Sequence, residues 1–188
     1  MSAPDVNEKR PWPPVYDEAT LKDTIRRVSE GLPKQFYVTT FDDPEPCQGD
    51  VLELEAMVPV LDADGDPAAV DNARHWLVVA NSCDVSRTGD TDSVLYVPIV
   101  PLFPVTQLGF TAELEQSARA YRLSRMFYVP SWDDQIGHHV ADFTRFVSIH
   151  RIALKQRAQI RARMRLDSWV LLNACLVRLL CREDKRHA

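Results

Sequence analysis

The sequence predicts a mainly β chain with flanking helices, an α+β arrangement around a small, strongly curved antiparallel sheet or barrel. Three observations predict it. Between residues 34 and 150, five or six short apolar runs are separated by turn signals, with one helical stretch inserted among them. One run, Trp76 to Ala80 within HWLVVANSCD, is five apolar residues ended by Asn81-Ser82, the pattern of a central buried strand. Residues 153–182 hold neither Pro nor Gly and are rich in helix formers, which predicts one long helix or two consecutive ones at the C-terminal end.

In chain order, residues 1–14 carry four prolines and several charges, which reads as a mobile arm whose one large apolar group is Trp12. Residues 15–33 hold a helix from Asp17 to Glu30, with Leu21, Ile25 and Val28 on one face, Thr20 and Asp23 as a capping box, and Gly31 and Pro33 as a stop. The barrel is placed at 34–150. Its strands are expected at QFYVTTF from Gln35, at VLELEAMVPVL from Val51, at the central run, at SVLYVPIVPLF from Ser93, at RMFYVP from Arg125, and at HHVADFTRFVSIH from His138. In the second of these, Val51, Glu53 and Glu55 alternate with Leu52, Leu54 and Ala56, one wet face against one dry. Pro98 cannot donate to a ladder and marks an edge, a bulge or a strand end. The segment SRTGDTDS from Ser86 reads as a turn, and Thr111 to Ser124 as the inserted helix, with Leu114, Ala118 and Tyr121 at helical spacing. Residues 151–188 read as a helical segment that is basic first and apolar nearly all round from Trp169 to Leu180, a surface to be buried against the barrel or a second copy.

Charge is divided unevenly. Residues 1–150 carry 12 Lys and Arg against 24 Asp and Glu, and residues 151–188 carry 10 against 3, so an acidic body (−12) bears a basic end (+7) and the net charge is −5. Arg157, Arg161 and Arg165, supported by Arg163, share a face if that end is helical, and such a stripe suits RNA, DNA or the acidic body itself. No apolar run reaches membrane-spanning length and no signal core opens the chain, which predicts a cytoplasmic protein. The four cysteines form no Cys-x-x-Cys pair and read as reduced thiols.

No metal or cofactor site is expected. The acidic loop of Asp62, Asp64, Asp66 and Asp71 fails the calcium-loop register, since Pro67 falls where Gly is needed and Ala73 where Glu is needed. His138 and His139 are adjacent, and neighbours on a strand face opposite ways. Cys83-Asp84 with His75 suggests a nucleophile and a base, but eight extended residues hold the two more than about 20 Å apart at ~3.3 Å per residue. Asn81, Ser82, Cys83 and Asp84 therefore stand as a binding rim at a strand end.

The order of motifs resembles the PemK/MazF toxin family. Gly49-Asp50-Val51 is similar to its opening strand, RHWLVVANS (Arg74 to Ser82) to its polar lead-in and Val-Val strand, Tyr96-Val97-Pro98-Ile99 to its apolar-x-Pro-Ile strand, and HVADFTRFVSIHR to its closing strand and basic helix. The likeness spans roughly residues 48–180. It implies an SH3-like β-barrel with a C-terminal helix and a toxin–antitoxin, phage-defence or mobile-element setting, while the apolar segment Trp169 to Leu180 suits a homodimer interface. The family's Arg falls at Arg74 or His75, while its hydroxyl after Pro-Ile is replaced by Val100. The favoured function is accordingly a non-catalytic module that recognises nucleic acid or a protein partner through the rim and the basic helix. The alternative is an endoribonuclease with substituted groups, in which Arg74 or Arg87 stabilises the phosphorane and His75 or His138 acts as general base or acid.

Overall fold

A computed structural model describes residues 18–32, 35–61, 64, 67–86 and 95–180. The fold is α+β, with one curled antiparallel sheet and five helices. The helices are α1 (Glu18–Glu30), α2 (Ser82–Ser86), α3 (Ala112–Arg119), α4 (Arg151–Arg157) and α5 (Leu166–Leu180). The strands are β1 (Asp50–Leu61), β2 (Pro67–Val78), β3 (Tyr96–Pro104), β4 (Met126–Val129), β5 (His139–Asp142), β6 (Val147–His150) and β7 (Gln159–Arg163). They run in the order β4-β5-β3-β2-β1-β7, with β6 paired to β3 beside β5.

The central run ends β2, between β1 and β3. There Trp76, Leu77 and Val78 are all fully buried, because both faces of the sheet are covered at that point. One face gathers Leu52 and Leu54 of β1, Trp76 and Val78 of β2, Val97 and Ile99 of β3, and Leu154 of α4. Val147 and Ile149 of β6 and Ile160 of β7 pack against them. Five strands thus wrap one small core, with α4 joining β6 to β7. The opposite face, with Val51, Leu77, Val100 and Phe127, is covered by Ile25 of α1 and by Leu171, Leu172 and Cys175 of α5, and α1 packs on α5. Leu166, Val170 and Leu180 of α5 stay exposed. No helix among the described residues is long and apolar enough to cross a membrane.

Gly49 is at φ +91°, and a Cβ there would sit 3.3 Å from the Met164 side chain, so only glycine fits the turn that launches β1. Next to it, the fully buried Asp50 takes two bonds from Arg163 of β7, at 2.9 and 2.8 Å, and one from the Cys47 amide. The junction is completed by Gln48, which bonds the Val79 carbonyl, the Ser82 hydroxyl and the indole of Trp169.

Several expectations are corrected. The segment 153–182 is not continuously helical: β7 interrupts it, because Asp50 and Glu53 on β1 offer its arginines partners and β1 has a free edge there. The stretch from Gln35 forms only an isolated bridge, Tyr37 with Met164, along the outer side of β7. The run from His138 is two strands, split where Asp142 caps a turn through Thr144. Thr20 and Asp23 lie inside α1, where Asp23 pairs with Arg26 at 2.6 Å. The inserted helix stops at Arg119, not Ser124, in a Schellman turn with Tyr121 at φ 54° and the Arg122 amide bonded to the Ser117 carbonyl. Burial of the Tyr121 ring holds that strained residue, and Arg178 of α5 binds the Tyr121 and Leu123 carbonyls at 2.7 and 2.9 Å. The expectations for the arm at 1–14, the turn from Ser86, most of the acidic loop, and Arg87 fall outside the described residues.

Candidate functional site

A cavity of about 600 Å³ opens where the first core residues of β2 meet β3 and β5. Leu102, Phe103 and Leu108 give it apolar walls, and its chemistry comes from Arg74, His75, His138, His139 and Arg145. His75 is opposite Leu102 in the ladder, and His139 is opposite both Pro104 and Val129. Those pairings place the His75 and His139 rings 5.5 Å apart, with the Trp132 ring 5.1 Å from the first and 4.8 Å from the second. Arg145 is held by Asp142 at 3.2 Å and lies over the Phe103 ring.

Hydrogen bonding sets the tautomers. The Nδ1 of His138 accepts from the Ser131 amide at 3.2 Å, and an amide N–H can only donate, so the neutral ring carries its proton on Nε2. The Nδ1 of His139 is 2.8 Å from the Gly137 carbonyl, which can only accept, so this ring has its proton on Nδ1 and a lone pair on Nε2. Burial is the chief cause lowering the pKa of all three histidines. His139, 4 % exposed, is taken down to about 4 against the pull of the Gly137 carbonyl. At neutral pH the cavity therefore presents neutral imidazoles beside two guanidinium groups.

This has a consequence for stability. The folded His139 refuses a proton until about pH 4, while the unfolded side chain accepts one near its ordinary 6.5. Stability is expected to fall as pH drops from 6.5 towards 4, with His139 contributing at most ~1.4 kcal/mol per pH unit, the worth of one proton. Denaturant melts of the parent and His139→Leu across this range check it: the variant should show the shallower dependence, and parallel curves would refute the assignment.

Of the sequence candidates, Arg74, His75 and His138 meet in this cavity. Arg74 is bonded to Glu53 at 2.8 Å, yet its side chain is 69 % exposed. The rim residues Asn81 to Asp84 lie at the other end of the central run. There the Asn81 carbonyl starts α2, the Ser82 hydroxyl holds Gln48, and Cys83 is exposed with its thiol 4.0 Å from Asp84. Val100 is fully buried in the core and faces away from solvent. The arginine stripe is dispersed. Arg157 ends α4, Arg161 on β7 pairs with Glu53, Arg163 is bound to Asp50, and Arg165 precedes α5 with a 3.5 Å contact to Gln35. Arg161 and Arg163 are thus engaged by β1 carboxylates, and the helical geometry assumed for the stripe is absent.

Sequence reasoning did not select His139 or Arg145. The concentration of His and Trp in SWDDQIGHHV was the available signal, but alternation along a strand argued that only one of the two histidines could serve a site. His138 in fact precedes β5, where alternation does not bind it. Among the described residues no group of three His, Cys, Asp or Glu is arranged to hold a metal ion. No protein-family model matches the chain, and none of the curated proteins compared with it matches.

Proposed function

We propose that the protein binds single-stranded RNA, with phosphate seated between Arg74 and Arg145 in the histidine-lined cavity. The observation that carries this reading is the convergence of Arg74, His75 and His138, separated by up to 64 residues of sequence, on one open cavity of about 600 Å³. Arg74 and Arg145 are each paired with a carboxylate, Glu53 and Asp142, but the Arg74 side chain is 69 % exposed, so its guanidinium can still meet a phosphate. The resemblance to the PemK/MazF family supports the same class of ligand and suggests a toxin–antitoxin, phage-defence or mobile-element setting.

A second reading, cleavage, is favoured by one specific feature: His75 is held neutral by burial beside an exposed arginine. Such an imidazole can take the proton from a ribose 2′-hydroxyl. The 2′-oxygen then bonds to phosphorus as the P–O5′ bond breaks, and the departing oxygen takes up a proton, leaving a 2′,3′-cyclic phosphate and a 5′-hydroxyl. Arg74 would stabilise the phosphorane charge.

The test is retention and integrity of a mixed-sequence single-stranded RNA with the parent and with Arg74→Ala combined with His75→Ala. The parent should retain RNA in a salt-sensitive manner, and loss of the Arg74 contact should lower the slope of log K against log salt by about 0.7. Unchanged retention by the variant, or none by the parent, would overturn the binding reading. Cleavage by the parent that vanishes in the variant would establish the catalytic one.

A further inference from the structure

Beside the large cavity lies a smaller one of about 260 Å³, with Thr106, Gly137 and His138 lining both. Gly109 and Gly137 line it as well, each beside open space, since a Cβ at either would meet no atom within 4 Å. Phe110 supplies an aromatic wall. Glu115 of α3 lines it too. Thr111 caps that helix by accepting from the Leu114 amide, which sets Glu115 one turn in. Arg119 bonds Oε1 of Glu115 at 3.0 and 2.7 Å, and Oε2 receives no bond from any described residue.

Besides the Thr106 hydroxyl, which can donate or accept, the polar side chains of the small cavity are a donor and an acceptor. His138 offers Nε2–H, because its Nδ1 is committed to the Ser131 amide. Glu115 offers a carboxylate oxygen with its lone pairs available. Guanine matches that pair: along one edge it presents the O6 acceptor, then the N1–H and N2–H donors. Adenine and cytosine each place a ring-nitrogen lone pair where the carboxylate would need a proton. Uracil offers one N–H flanked by two carbonyls, so a carboxylate gains one bond and meets one repulsion.

We propose that the small cavity is a guanine subsite of the RNA groove, with Phe110 against the base, His138 donating to O6 and Glu115 accepting from N1–H and N2–H. This rests on the RNA reading above and names the base that groove selects. His138, which lines both cavities, then serves the base, while Arg74 and Arg145 serve the phosphate.

Four pentanucleotides, UUXUU with X as guanine, inosine, adenine or uracil, test this by fluorescence anisotropy with the full chain at one fixed low salt concentration. Guanine should bind about tenfold more tightly than adenine, with inosine, which lacks the N2 amine, between them. Glu115→Gln should reduce the guanine-to-adenine ratio to within about twofold. Removing the carboxylate also frees Arg119 and can strengthen binding of every oligonucleotide, and a ratio is insensitive to that. Equal binding of all four by the parent, or a ratio unchanged in Glu115→Gln, would overturn the subsite while leaving RNA binding intact. Absence of binding to all four would overturn the RNA reading and the subsite with it.

Discussion

Asp50→Ala is expected to destabilise the fold by about 3–5 kcal/mol, the cost of stripping the partner from an enclosed ion pair. Asp50 is fully buried and binds Arg163 through both oxygens, and the guanidinium also donates to the Glu45 carbonyl at 2.8 Å and lies over Phe41. Without the carboxylate, a guanidinium charge with a side chain only 15 % exposed keeps neither its counterion nor full hydration. The loss is local to the β1–β7 pairing, which brings the segment of β7 and α5 onto the sheet. Thermal melts should show a fall of roughly 6–20 °C, at about 2–4 °C per kcal/mol for a chain of this size. Asp50→Ala combined with Arg163→Met should recover much of it, because the unpaired charge is gone. A single variant that costs under about 1 kcal/mol would show that the pair does not hold β7 in place.

Trp76→Ala is expected to cost about 3–5 kcal/mol as well, by a different route. The ring is fully buried within the core that five strands surround, and its Nε1–H is shared between the Leu54 and Ala73 carbonyls at 2.8 and 3.1 Å. Removing it leaves a cavity and two carbonyls without that donor. Trp76→Phe separates the contributions: it refills most of the volume but not the hydrogen bonds, and should cost about 1–3 kcal/mol. Equal losses for the two variants would place the whole effect in the hydrogen bonds, and a negligible loss for Phe would place it in packing. Because His75 precedes Trp76 on β2, the alanine variant should also weaken the proposed RNA retention, through displacement of the histidine.

The fold class, the N-terminal amphipathic helix, the central strand and the apolar C-terminal helix were legible in the residues because each depends on local pattern. Leu21, Ile25 and Val28 define a helical stripe wherever they stand, and WLVVA is apolar on both faces whatever covers it. The segment 153–182 shows where local pattern stops. Its composition favours helix, yet residues 159–163 are a strand, because β1 presents an open edge and the carboxylates of Asp50 and Glu53 at a spacing that an extended chain can meet. Propensity of a few tenths of a kcal/mol per residue yields to ladder bonds and charge-assisted pairs. The candidate site divides in the same way. Arg74 and His75 could be chosen from the family resemblance at the head of the buried strand, and His138 from its type. That these three join His139 and Arg145 in one cavity, and that the Asn81–Asp84 rim stands apart from it, was decided only by strand register and by the route from β3 through α3 to β5. Sequence carries residue chemistry and local period, whereas convergence of residues far apart in the chain is a property of the closed sheet.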